Sequence, residues 1–182
     1  MMGSGKSTVG RRLAAEYDAD FVDLDVRVER LFGERISDML GGPTADAQKF
    51  RARERDGLLS LLAEPGFAGR PVVVATGGGV VIDPRNRARM RAVGTVVHLR
   101  VAVDVLASRL RADIAEDPGA RPLLQPAVVD LASRLLELAS ARQGAYDDCD
   151  FVVEGTGDPD EVIARIVEVL GLGGPSAEHE AV

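Results

Sequence analysis

The chain opens on Gly3-Ser4-Gly5-Lys6-Ser7-Thr8, and these six residues constrain its fold more than anything that follows. They match the second half of a phosphate-binding loop, G-x-x-x-x-G-K-[ST], a motif that joins a β-strand to an α-helix. Its first glycine, five places before Gly5, would fall just ahead of Met1. That glycine and the strand leading into it are therefore expected upstream, by about ten residues given usual strand and loop lengths. Without that strand, a central slot in the sheet would stand unfilled. The chemistry of the remaining half is still legible. Small residues let successive backbone N–H groups turn inward around phosphate oxygens, and the following helix aims its positive end at the same point. Lys6 adds a full charge for β- and γ-phosphates, and the Ser7 hydroxyl suits Mg²⁺. A flexible linker can also be rich in glycine and serine, but Val9, Leu13 and Ala14 form an apolar helical stripe here, with Arg11, Arg12 and Glu16 on other faces. A nucleotide-handling protein is expected.

Hydrophobic patterning extends this to the whole chain. Phe21–Asp23, Pro71–Ala75, Thr95–Leu99 and Phe151–Val153 read as strands. Most are continuous apolar runs, as in parallel strands covered on both faces. Helical spacing appears between them over 44–62, 103–110, 128–142 and 159–170, the last with Asp158 or Asp160 near its cap. Alternating β and α predicts an α/β fold, a doubly wound parallel sheet with helices on both faces. The polar stretch from Ala112 to Pro122 has no apolar period and carries Arg121, so residues 112–124 are expected to form a mobile lid closing over phosphate.

At 182 residues the chain suits one domain, expected over 1–170, with a disordered tail over 171–182. A net charge of −7 disfavours a nucleic-acid partner, which would call for a basic face. The single cysteine, Cys149, allows no internal disulfide. No apolar run approaches membrane-spanning length, and no leader pattern is visible. A cytoplasmic monomer with no membrane partner is expected. His98 and Cys149 read as structural, and Tyr146 as packing.

Taken in order, G-S-G-K-S-T, F-V-D-L-D, F-R-A-R-E, T-G-G-G, R-P-L-L and Arg142-x-x-x-Tyr146 resemble the shikimate kinase family, from Met2 to about Leu170. The resemblance implies a P-loop kinase fold and Mg²⁺-dependent transfer of phosphate from ATP to the shikimate 3-hydroxyl in aromatic amino-acid (chorismate) biosynthesis. It assigns nucleotide contacts to Gly3, Ser4, Gly5, Lys6, Ser7, Thr8, Arg109 and Arg121, and the metal to Ser7 and Asp23, the latter through water. It assigns the acceptor to Asp25, Arg51, Gly78, Gly79 and Arg142, and catalysis to Lys6, Asp25 and Arg121. Asp25 would bind the acceptor hydroxyls and assist deprotonation, although an aspartate there could equally cap a helix starting at Val26. Arg51 and Arg142 would hold the acceptor carboxylate, for which a planar, bidentate donor is best suited. Three glycines, Gly77 to Gly79, would let backbone approach the ligand closely.

The chain departs from the family pattern in places. Ala47 stands where a glutamate is usual, the lid is longer and more acidic (Asp113, Glu116, Asp117), and E-G-T-G-D-P after Val153 lacks an adenine-stacking arginine. Arg109 is the remaining candidate for that contact. Two other readings stay open: another small-acceptor kinase such as a gluconate kinase, and a catalytically idle nucleotide-binding paralogue. In gluconate kinases the strand-end D-x-D is typically followed by histidine, whereas this chain has Asp25-Val26-Arg27.

Overall fold

A computed structural model describes residues 1–41, 45–116 and 130–173. In chain order the elements are α1 (Lys6–Glu16), β1 (Asp20–Asp23), α2 (Leu24–Phe32), α3 (Ile36–Leu40), α4 (Ala47–Leu62), β2 (Val72–Ala75), α5 (Pro84–Val93), β3 (Val97–Arg100), α6 (Val103–Glu116), α7 (Leu131–Asp147), β4 (Phe151–Glu154) and α8 (Pro159–Leu170). Aspartates start many of the helices. Asp46, Asp83 and Asp158 each accept backbone N–H bonds at the heads of α4, α5 and α8, and Pro84 and Pro159 occupy first-turn positions where no N–H is needed.

The strands form two parallel ladders. β1 pairs with β2 from Asp20↔Val72 to Asp23↔Ala75, and β3 pairs with β4 from Val97↔Phe151 to Arg100↔Glu154. Among the described residues no ladder joins β2 to β3. This leaves an interruption between β2 and β3. A cavity of about 480 Å³, reached by Val9, Leu13, Val73, Leu99 and Ile166, opens on one side of it. A second of about 250 Å³, walled by Leu58, Leu62 and Met90, opens on the other. Val72, Val74, Thr76, Thr95 and Val97 border both.

Helices cover both faces of this α/β assembly. Val9 and Leu13 of α1 pack with Leu99, Val153 and the α8 stripe Val162, Ile163, Ile166. On the opposite side Leu24, Val28, Phe50 and Leu58 join α2 to α4. A third cluster, with Leu106 and Leu110 of α6 and Leu131, Leu135 and Tyr146 of α7, gathers with Met1 and Val101 near the carboxyl end of β3.

Several expectations are corrected. The predicted helix over 44–62 starts at Ala47, where Asp46 provides the cap. α6 runs on to Glu116, so the first residues assigned to the lid are helical; the lid's remainder from Asp117, with Arg121, lies outside the described residues, as does the tail beyond Gly173. α7 begins at Leu131 and continues past Arg142 to Asp147. Full burial of the strands does not hold: Phe151 and Val152 are each 39% exposed, on a strand that among the described residues pairs with β3 alone.

Candidate active site

The head of α1 is built by glycine. Gly3 and Gly5 have φ of +73° and +85°, a region that side chains rarely enter, and a Cβ on Gly3 would press against Leu110 at 3.0 Å. The left-handed turn at Gly5 directs the chain into α1 at Lys6. Lys6 Nζ donates to Met1 O (2.6 Å) and Ser4 Oγ (3.1 Å), and the buried Ser4 hydroxyl donates to Met1 O (2.9 Å). Arg109, from α6, donates to Gly3 O at 3.3 Å, which places its guanidinium on the loop. Ser7 and Thr8 are exposed at the helix head. The Ser7 hydroxyl donates to Asp23 Oδ2 at 2.6 Å, bringing together the two residues assigned to the metal.

The carboxyl end of β1 supplies the next groups. α2 starts at Leu24, and Asp23 caps it: its Oδ1 accepts from the backbone N–H of Asp25 (3.0 Å) and of Val26 (3.4 Å). The capping role that the sequence left open for Asp25 therefore belongs to Asp23. Asp25 sits in the first turn of α2, half-buried and facing other charges. Burial first, and then the Asp23 charge, raise its pKa above the ordinary carboxylate value, while Lys6 and Arg51 pull it back.

α4 brings the arginine. Arg51 pairs with Glu54 one turn along, and Glu54 is only 2% exposed. Burial pushes the Glu54 carboxyl upward, the Arg51 charge opposes that, and the charges of Asp25 and Arg142 reach it as well. The glycine run after β2 completes the cluster. A Cβ on Gly77 would lie 2.6 Å from Asp25 Oδ1 and 2.8 Å from Glu54 Oε1, and one on Gly79 would overlap the Arg51 guanidinium. Neither glycine has positive φ, so space rather than conformation demands them. Gly78 presents its carbonyl to the Tyr146 hydroxyl at 2.9 Å.

The structure thus brings Asp25, Arg51, Gly78 and Gly79 into one cluster. Lys6 and Arg142 lie close enough for their charges to act on it. The same two charges, after burial itself, help drive the Met1 amine down to about 4. The family resemblance assigns no role to Glu54, although its spacing of three from Arg51 on a helix is a signal for pairing. Tyr146 is another: the residue read as packing also donates a hydrogen bond to the glycine run.

Comparison with known proteins follows the same outline. The family model described as shikimate kinase matches residues 2–171. A curated shikimate kinase from Paramagnetospirillum magneticum is 40% identical over 174 residues, covering 93% of this chain and 80% of that protein. The crystal structure of a shikimate kinase from Bacteroides thetaiotaomicron superposes with a TM-score of 0.80 at 28% identity, covering 94% of each chain. The shikimate kinase from Acinetobacter baumannii, solved in complex with shikimate, gives 0.78 at 29% identity, covering 93% of this chain and 89% of that one.

Proposed function

Because this chain belongs to the shikimate kinase family, we propose that it transfers the γ-phosphoryl group of ATP to the 3-hydroxyl of shikimate, a step of aromatic amino-acid (chorismate) biosynthesis. The observation that carries this reading is the Asp25–Arg51–Glu54 cluster against the glycine run, within reach of the Lys6 charge. A hydroxylated acid presents one carboxylate and several hydroxyls. Arg51, oriented by Glu54, and Arg142 bind the carboxylate, while the glycine backbone lies against the ring. Asp25 takes the hydroxyl. Its raised pKa makes it a better base than an exposed aspartate. The hydroxyl oxygen bonds to the γ-phosphorus, the bond to the bridging β–γ oxygen breaks, and the proton passes to Asp25. ADP and shikimate 3-phosphate leave. Lys6 and the loop N–H groups hold the phosphates, in a reaction that depends chiefly on positioning and charge neutralisation. Arg109 braces the loop from α6. The family role of Arg121 over the transferred phosphate falls on a residue outside the described ones.

Ser7 and Asp23 fit Mg²⁺. They offer hard oxygen donors in hydrogen-bond contact, and Mg²⁺ usually takes one or two protein ligands beside water and phosphate. When bound, the ion neutralises phosphate charge. No helix among the described residues is long and apolar enough to cross a membrane. The proposed setting is the cytoplasm, and the proposed state a monomer.

The test is ADP release measured with shikimate and with gluconate in parallel. Shikimate-dependent release, abolished by Lys6→Ala, is expected. Release with gluconate alone would reassign the acceptor, and none with either would favour an idle nucleotide-binding paralogue.

A further inference from the structure

We propose that Tyr146 is a positioning residue for the acceptor site: its hydroxyl fixes the Gly78–Gly79 peptide, and His98 backs its ring. The inference rests on the acceptor reading above. A run of three glycines has no side chains to hold its peptide planes, and each unit can rotate more freely than any other sequence allows. Something else must hold it. The Tyr146 hydroxyl donates to Gly78 O at 2.9 Å from a side chain only 8% exposed. The carbonyl of Gly78 and the N–H of Gly79 belong to one planar trans peptide, so they point in opposite directions. Holding the oxygen at Tyr146 therefore aims the Gly79 N–H away from α7, and Gly79 is the residue whose missing Cβ leaves room for the Arg51 guanidinium.

Two further contacts hold the tyrosine: its hydroxyl also lies 3.3 Å from Met1 Sδ, and a second ring stacks on its own. The His98 ring, from β3, stacks on it with centroids 5.1 Å apart and planes at 26°. Arg142 lies four residues earlier on α7, so both side chains leave the same face of that helix. This hydrogen bond, together with Val81 packed against the cluster of Leu131, Leu135 and Tyr146, ties the helix carrying Arg142 to the loop carrying Gly78.

Tyr146→Phe keeps the ring and its stacking and removes only the hydroxyl. Losing one such bond is worth about 1 kcal/mol, so the shikimate KM should rise roughly fivefold while the ATP KM stays within about twofold. In the absence of substrate, amide exchange at Gly79 should quicken by a similar factor, and the change in Tm should be small. An unchanged shikimate KM with unchanged Gly79 exchange would overturn the proposal. So would an equal rise in both KM values with a large fall in Tm, the pattern of general destabilisation. If the unsubstituted protein fails to turn over shikimate, the acceptor assignment falls, and Gly79 exchange alone still decides whether Tyr146 holds the loop.

Discussion

Asp25 holds a negative charge in a place that disfavours it. Its pKa is raised by burial and by Asp23, so the folded state binds its proton more tightly than the unfolded chain does. Stability from this group is therefore lost as pH rises through the ordinary carboxylate range and stays lost at neutrality. Asp25→Asn removes the cost. The variant is expected to melt a few degrees higher, about 1 kcal/mol, while kcat falls by roughly 10²–10⁴ for want of a base. A thermal melt and a turnover assay on one preparation check both. Gly79→Ala tests space rather than charge. The added Cβ must displace the Arg51 guanidinium, so the shikimate KM is expected to rise more than about tenfold with the ATP KM unchanged. The motifs that carry Lys6, Arg51 and the glycines were legible in the sequence, and the fold brings these residues near one another. The parts of Glu54 and Tyr146 were not, because they depend on tertiary contacts: Glu54 on its pairing with Arg51, and Tyr146 on Gly78 and His98, both far away in the chain.

The contact between α2 and α4 depends on Gly57. A Cβ there would come within 2.7 Å of Val28 Cγ2, a stiff side chain with no exposure. Alanine ordinarily favours a helix by about 1 kcal/mol, but overpacking of this kind costs about 1–3 kcal/mol. Gly57→Ala is thus expected to lower Tm, read by thermal melting, with both KM values little altered. β3 carries a pH dependence of its own. Burial, then the nearby terminal amine, Arg100 and Lys6, drive the His98 pKa from 6.5 to about 4, with Asp147 opposing. Between those values the unfolded chain takes up a proton that the folded state refuses, so this contribution is present above pH 6.5 and fades toward pH 4. Melting across that window should show a falling Tm, and His98→Gln should flatten it. Among the helices, α4 and α8 were legible from their apolar stripes. α5 was not: its sequence Pro84–Val93 carries four arginines and buries only Asn86, leaving no stripe to read. The end of α6 was missed for a related reason, since Asp113 and Glu116 resemble loop sequence yet continue the helix.

The alternation of strand and helix made the α/β class legible. It did not tell how the strands would pair. The two ladders keep their own pairing, and the inner edges of β2 and β3 border a cleft lined by apolar side chains on both faces. An apolar segment of about five or six residues, fused ahead of Met1, has the length of an ordinary strand. Fusing one is expected to raise Tm by several degrees and slow amide exchange along Val72–Ala75 and Val97–Arg100. A segment interrupted by proline should do neither, because it removes a ladder N–H.

That cleft also divides the reaction's tools. Asp25 and the glycine run follow the β1–β2 ladder, whereas Arg109 and His98 belong with β3–β4. The proposed site is therefore assembled from both sides of the cleft, with α1 packed across the joint through its contacts to β1, β2 and α8. A misalignment of about 1 Å at the reacting atoms costs on the order of a hundredfold in rate. How firmly the two ladders are held against each other thus becomes a throttle on phosphoryl transfer, acting without any change in the residues proposed to touch the substrates.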